Sequence, residues 1–256
     1  GSPVEFSDFF YQRIDPRGGD ITALGALDDY IVFFKKGSIF VLSGQGPNDT
    51  ATQNDFGDPV LVTTDVGCDN PNSVVITPQG LMFKSKKGIY MLDRGLQVTY
   101  IGAEVEDFND RLITASTLLD SRNQVLFVTD NDVALVYDYF FGQWSTFSNH
   151  TAEDCAIWNG KFVFLRNSGQ VWVETPGLFQ DNGQPIVLKF TTSWLSLVGL
   201  QGFQRIYRMI FLGEYKSEHK LQIEIGYDFN PFFAQSATID PNETYDFSTY
   251  GETSPY

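Results

Sequence analysis

One unit recurs along most of this sequence: apolar strand, tight turn, apolar strand, tight turn, apolar strand. The first copy runs Ile21 to Leu27, turns at Asp28-Asp29, continues Tyr30 to Lys35, turns at Lys36-Gly37 and ends with Ser38 to Ser43. The second has Ser73 to Thr77, a Pro78-Gln79-Gly80 turn, Leu81 to Ser85, then Lys86-Lys87-Gly88 and Ile89 to Asp93. The third has Thr114 to Leu119, a turn at Asp120 to Asn123, Gln124 to Thr129, Asp130-Asn131, Val133 to Tyr139 and a further strand around Trp144. The fourth has Glu153 to Ile157, Asn159-Gly160, Lys161 to Arg166, Asn167-Ser168-Gly169 and Gln170 to Thr175. Asn-Gly, Ser-Gly and Lys-Gly supply residues that accept positive φ, which hairpins between twisted strands require.

The second strands start near Tyr30, Leu81, Val125 and Phe162, which are 51, 44 and 37 residues apart. Repeats of about 40 to 50 residues, each of three or four strands, are the signature of β-propeller blades. A lone blade cannot cover both of its faces, whereas stacked blades can. The fold class expected is therefore all-β: propeller-like repeats of antiparallel blades, then a smaller β-sheet or sandwich module. Four blades form either a small propeller or part of a larger one; a non-circular run of β-meanders is the plainer alternative. No window of helical length carries a 3.6-residue period, and the nearest approach, around Glu104 to Leu112, predicts one or two turns.

The texture changes after Pro176. Residues 177–185 are polar and Gly-rich, as a linker is. Three longer strands are predicted beyond it: Ile186 to Leu197, Gln204 to Glu214 and Leu221 to Phe229, with a hairpin loop at Gly213 to Lys220. Leu221, Ile223 and Ile225 alternate with Gln222 and Glu224, the pattern of a strand buried on one face. The domains expected are about four blades over 20–177 and a second β module over 185–240. Residues 1–19 and 241–256 read as irregular or excised ends. Gly1-Ser2 reads as a cloning remnant, and no leader pattern follows it.

Composition narrows the function classes. Aromatic residues make up 15% of the chain, including 23 Phe and 12 Tyr, which suits half-buried pleated surfaces. Net charge is −15, opposite in sign to what a reader of duplex DNA needs for its phosphates. A channel wall past which DNA slides without sticking remains compatible with it. Cys68 and Cys155 fit neither a metal motif nor a disulfide framework and read as buried thiols. No run reaches the roughly 18 apolar residues of a membrane-spanning helix.

Several segments resemble the tail proteins of short-tailed bacteriophages (podoviruses). They are Ile21 to Lys35, Thr63 to Cys68, Gly80 to Tyr90, Gly199 to Arg205 and Leu212 to Ser217. The family is that of tail hub and nozzle proteins, also called packaged-DNA stabilisation or tail tubular proteins, and the resemblance covers most of residues 5–230. It implies a structural virion protein that links the portal to the distal tail and forms part of the DNA ejection channel. It also implies a homo-oligomeric ring, portal and other tail proteins as neighbours, DNA in transit without specific binding, and assembly into the virion from the host cytoplasm. Acidic side chains are then expected to line the inner face and aromatics the subunit contacts.

Catalytic sets do not stand out. His150 and His219 lack a nucleophile setting, and Gly44-Gln45-Gly46 lacks the helix and the Lys-Ser/Thr pair of a phosphate loop. Asp28, Asp29, Asp65, Asp69, Asp130, Asp132 and Asp138 suit turn roles, although two of them at glycosidase separation would cleave a sugar. Asp130-Asn131-Asp132 lacks the glycine and distal glutamate of a Ca²⁺ loop. Tyr137, Tyr139, Phe140, Phe141 and Trp144 read as packing between blades, with a sugar platform as the alternative. Phe229, Phe232 and Phe233 form a candidate interface. No enzymatic role, cofactor or metal is expected. The competing function is a carbohydrate-binding or glycan-cleaving propeller for recognition of the host surface.

Overall fold

A computed structural model describes residues 13–44, 46, 55–178, 180–181, 183–195, 207–208, 210, 220–230 and 232–240. The chain divides into two compact units after Leu178. Among the described residues, the first holds three four-stranded antiparallel meanders and one of three strands. The first sheet is β1 (Ile21–Leu27), β2 (Tyr30–Lys35), β3 (Ile39–Ser43) and β4 (Val60–Thr63). The second is β5 (Asn70–Thr77), β6 (Gly80–Ser85), β7 (Gly88–Asp93) and β8 (Val98–Tyr100). The third is β9 (Ile113–Leu119), β10 (Gln124–Thr129), β11 (Val133–Asp138) and β12 (Gln143–Ser148). The last is β13 (Asp154–Trp158), β14 (Lys161–Leu165) and β15 (Val171–Val173).

Within each sheet the strands pair in chain order. Between sheets, the close backbone approaches are concentrated on the first strands: β1 beside β5, β5 beside β9, β9 beside β13. Sheets that converge on their first strands and splay toward their last are propeller-like blades. The architecture is thus nearly all-β with propeller-like repeats, as the hairpin spacing implies. β4 and β8, four and three residues long, complete the first two blades; neither stands out in the sequence, because so short a strand carries too few alternations. The helical stretch near Glu104 is 3₁₀, spans Ala103–Phe108 and is broken at Val105.

Turn chemistry sets the register. Asn159 (φ 51°) and Gly160 (φ 73°) both take positive φ between the paired Trp158 and Lys161, so two residues close the hairpin. Gly80 has φ 153°, and a Cβ there would collide with the Leu92 carbonyl, so only glycine starts β6. Asn123 takes the left-handed conformation (φ 56°) after the 3₁₀ turn Asp120–Arg122, a role asparagine tolerates.

Alternation then distributes the core. Along β6, Leu81 and Phe83 join Leu27, Val32, Phe34, Ile39 and Val41 of the first sheet. Met82 points the other way, to Val125, Phe127, Leu135 and Ile113 of the third. Along β10, Val125 and Phe127 face the second sheet, and Leu126 and Val128 face Phe162 and Phe164 of the fourth. Both central strands are therefore fully buried on two faces. Each side chain such as Phe127 contributes about 1.5–3 kcal/mol by burial. The half-exposed ion pairs Arg94–Asp28 and Arg122–Glu174 contribute about 0–1 kcal/mol each, so packing decides stability.

The second unit differs from its sequence-based outline. Residues 186–195 form no strand, against the expected Ile186 to Leu197; a strand needs a hydrogen-bonded neighbour, and among the described residues this segment has none. Residues 196–197, nearly all of Gln204 to Glu214, and the Gly213 to Lys220 loop except Lys220 lie outside the described residues. The linker stretch contains a small hairpin, β16 (Gln180–Asp181) with β17 (Gln184–Pro185). The strand predicted to reach Phe229 stops at Ile225, where positive φ at Asp228 and Phe229 turns the chain. It is β18 (Leu221–Ile225) and pairs with β19 (Gln235–Ile239). Ile223 and Ile225 are half-buried and Gln222 and Glu224 exposed, as the alternation implies, but Leu221 at the start of the strand is exposed.

Phe127→Ala is expected to destabilise the first unit by about 3–5 kcal/mol through lost burial and an unfilled cavity. Phe141→Ala, at an exposed turn, should stay within about 0.5 kcal/mol. Denaturant unfolding of the two variants beside the parent measures both.

Candidate functional site

The first strands are where blade meets blade, and their polar side chains need partners once buried. Thr22 Oγ1 on β1 lies 2.5 Å from the Cys68 carbonyl, in the segment entering the second sheet, and 3.1 Å from the Phe34 carbonyl of its own. Thr114 on β9 repeats this two blades along: Oγ1 is 2.6 Å from the Ala152 carbonyl, ahead of the fourth sheet, and 3.3 Å from Val128 O. Between second and third sheets the link comes from asparagines. Asn70 Nδ2 donates to Ile113 O at 3.0 Å, Asn72 Nδ2 donates to Thr114 O at 3.0 Å, and Ser116 Oγ donates to Asn72 O. Ser73 Oγ donates to Asn70 O (2.6 Å) and accepts from Lys84 N (2.8 Å), which holds that end of β5. The chain of side-chain-to-carbonyl bonds fixes how each blade sits on the next. The bridging roles of these threonines and asparagines were not legible, because their partners are 38 to 46 residues away.

The carboxylates singled out in the sequence do not gather in one place. Meander topology puts Asp28, Asp29, Asp120 and Asp138 at one end of the blades. Asp65, Asp69, Asp130 and Asp132 sit at the other. Their roles are those of turns. Asp138 Oδ1 accepts from the Phe140 and Phe141 N–H groups, both at 3.0 Å; Asp132 takes φ 64°; Asn131 Oδ1 accepts from Thr129 Oγ1 at 2.5 Å. Asp28 pairs with Arg94. Of the four first strands only β13 carries a carboxylate, Asp154. Carboxylates are thus displayed at the blade ends, because strands packed blade to blade cannot hold unpaired carboxylates.

The aromatic run divides as its strand register dictates. Tyr137 and Tyr139 are buried between second and third blades. Trp144 packs on Tyr137 (centroids 4.7 Å) and donates Nε1–H to Ile101 O at 2.7 Å. Phe140 and Phe141 project from the β11–β12 turn edge to face, 4.9 Å apart and exposed. Burial raises the Tyr137 hydroxyl above its ordinary pKa. His150 lies against Phe162 and Phe164, a packing position; His219 and Gln45 lie outside the described residues. Gly44 is held at φ 115° against the Asp55 backbone, a loop role.

In the second unit, Phe229, Phe232 and Phe233 share the loop that joins β18 to β19 and are all exposed. Phe229 tilts against Trp194 at 5.2 Å, and the Phe232 N–H donates to Asn230 Oδ1 at 3.0 Å.

Both cysteines are free; Cys68 is buried, as expected, whereas Cys155 is only partly so. Burial pushes Cys68 up, and burial followed by the neighbouring Asp154 charge pushes Cys155 up to about 12.

No family model matches the chain, and no curated protein matches it. Among solved structures it is similar to BamB from Moraxella catarrhalis, at 12% identity and a TM-score of 0.40. That likeness covers 59% of this chain and 41% of that one. It is also similar to PorZ, a surface component of the type-IX secretion system of Porphyromonas gingivalis, at 11% identity and a TM-score of 0.34. Here 60% of this chain and 26% of that one are covered. The chain therefore spans under half of either protein.

Two outcomes follow from this geometry. Thr114→Val keeps the shape but leaves the Ala152 carbonyl without its donor, so a loss of about 1–3 kcal/mol is expected by denaturant unfolding. Cys155, with its pKa raised from 9.0 to about 12, keeps its proton in the folded chain where the unfolded chain loses it. Its contribution to stability is complete below about pH 9 and falls as pH rises toward 12. Iodoacetamide labelling of this thiol at pH 8 should stay slow until denaturant is added; rapid labelling of the folded chain would contradict the assignment.

Proposed function

We propose that this chain is a structural protein of a short-tailed bacteriophage virion, not an enzyme. Its role is to join the head connector to the distal tail as part of the wall of the DNA ejection channel. The observation that carries the proposal is where the resembling segments fall. Ile21 to Lys35 is the β1–β2 hairpin and Gly80 to Tyr90 is most of the β6–β7 hairpin, so two of the resembling segments are hairpins that build the blades; Thr63 to Cys68 connects β4 to β5, and Gly199 to Arg205 and Leu212 to Ser217 lie outside the described residues.

The mechanism is geometric and electrostatic. Blades buried on both faces form a stiff wall, because close-packed interiors yield little to load. With a net charge of −15 and its turn carboxylates at the blade ends, the chain repels a passing polyanion instead of gripping it. Copies arranged about the channel complete the wall, and Phe229, Phe232 and Phe233 are the exposed aromatics proposed to meet a neighbouring subunit. The partners proposed are further copies of the chain, portal and other tail proteins; the place is the virion tail, after synthesis in the host cytoplasm.

Asp29→Lys with Asp120→Lys, both exposed turn positions, should slow DNA ejection from otherwise normal particles by about tenfold at low salt. Fluorescence of a DNA-binding dye during triggered ejection reads the rate. Unchanged ejection would remove the channel role, and absence of the chain from purified tails would remove the virion role altogether.

A further inference from the structure

The stack of blades stops on two apolar faces, one at each end. In the fourth blade, Phe162, Phe164 and Trp172 turn toward the third. The strand register sets Ala156, Trp158, Val163, Leu165, Val171 and Val173 on the opposite side, with the charged Asp154 and Lys161 at its margins. Trp158 is 70% exposed and Val171 68%. At the other end, Val32, Phe34 and Val41 face the second blade, and Leu24, Ile31, Phe33, Phe40 and Leu61 occupy the reverse side. Leu24 is 60% exposed. Beside it a hollow of about 150 Å³ is lined by the exposed Leu61 and the buried Phe40, with Arg17, Gly18, Gly37, Ser38 and Thr64.

Each of the three internal interfaces joins the forward face of one blade to the rear face of the next. The surfaces that no other blade meets are the forward face of the fourth blade and the rear face of the first, the latter open at Leu24 and Leu61 and buried at Phe40 and Leu42, which makes them the natural partners of one another. We propose that a second copy of this chain covers both: the fourth blade of each copy stacks on the first blade of the other, closing a ring of eight blades. The inference is independent of the tail role.

Three physical points favour this occupant. The contact continues an interface that the chain already makes three times, with the same first-strand approach. Eight blades lie within the four to eight of closed propellers, and closure removes both open ends at once. Because two equal contacts form in one dimer, the second is made within a molecule already held by the first, which multiplies the affinity. The exposed Trp158 supplies a large anchor and the Phe40–Leu61 hollow a recess on the facing surface. The charge of −15 on each copy opposes association, so salt should strengthen the dimer by screening.

Light scattering after size exclusion of the full 256-residue chain tests the proposal. The expected mass is twice 28.8 kDa, with a dissociation constant that falls as salt rises. Trp158→Asp and Leu24→Asp should each raise that constant at least tenfold with an unchanged circular dichroism spectrum; Val171→Asp serves as a second variant should Trp158→Asp misfold. Mixing the two variants restores one intact contact per pair, so the mixture should associate more tightly than either alone. A chain that stays monomeric at all concentrations overturns the proposal. So does a dimer that Leu24→Asp leaves untouched, which would mean that two fourth blades meet face to face.

Discussion

Two strands govern the rest of the first unit: β6 and β10, apolar on both sides. A strand that carries Leu81, Phe83 and Met82, or Val125 through Val128, has no solvent face to offer. Its sheet must lie between two others, since leaving either face wet forfeits about 1.5–3 kcal/mol for each large side chain. The outer blades inherit the opposite condition. They have one face matched to a neighbour and one that is not, and the surface properties of the unit follow from that difference. Exposed Trp158 and Leu24 are the continuation of a packing rule past the last blade that obeys it.

Apolar packing alone would let adjacent sheets slide or rotate. The side-chain-to-carbonyl bonds along the first strands remove that freedom. Thr22, Asn70, Asn72, Thr114 and Ser116 each tie one blade to backbone near the start of another. Each such bond is modest in net stability, about 0.5–1.5 kcal/mol, but directional, so it selects one orientation among the many that apolar faces accept. Carboxylates, Asp154 on β13 excepted, lie outside these strands and collect in the turns, where Asp138 accepts from N–H groups. The acidity of the chain and the stiffness of its blades therefore occupy different parts of the same repeat.

Much of this was legible from local chemistry. Asn159-Gly160 and Gly80 mark turns that only positive-φ residues can make, and the runs around Val32, Leu81 and Val125 are long enough to signal strands. The fourth strands β4 and β8 were not legible, being three or four residues whose pairing comes from β3 and β7. Residues 186–195 mislead for the reverse reason: their apolar content matches a strand, but strand formation depends on a partner that composition does not name. The aromatic run after Val136 shows the same limit inside one segment. Tyr137 and Tyr139 are core while Phe140 and Phe141 are exposed, and the difference lies in where the β11–β12 turn falls.

The amino-acid sequence by itself determined the repeat: the hairpins, their near-regular spacing, the two-faced apolar strands and the acidic balance, because turn conformation and alternation are encoded within a few residues. Only the tertiary structure decided which face meets which blade, which polar side chains bridge them and which apolar faces are left without a neighbour. Those depend on side chains more than thirty residues apart arriving at one place, and no local pattern records where a sheet will find its partner.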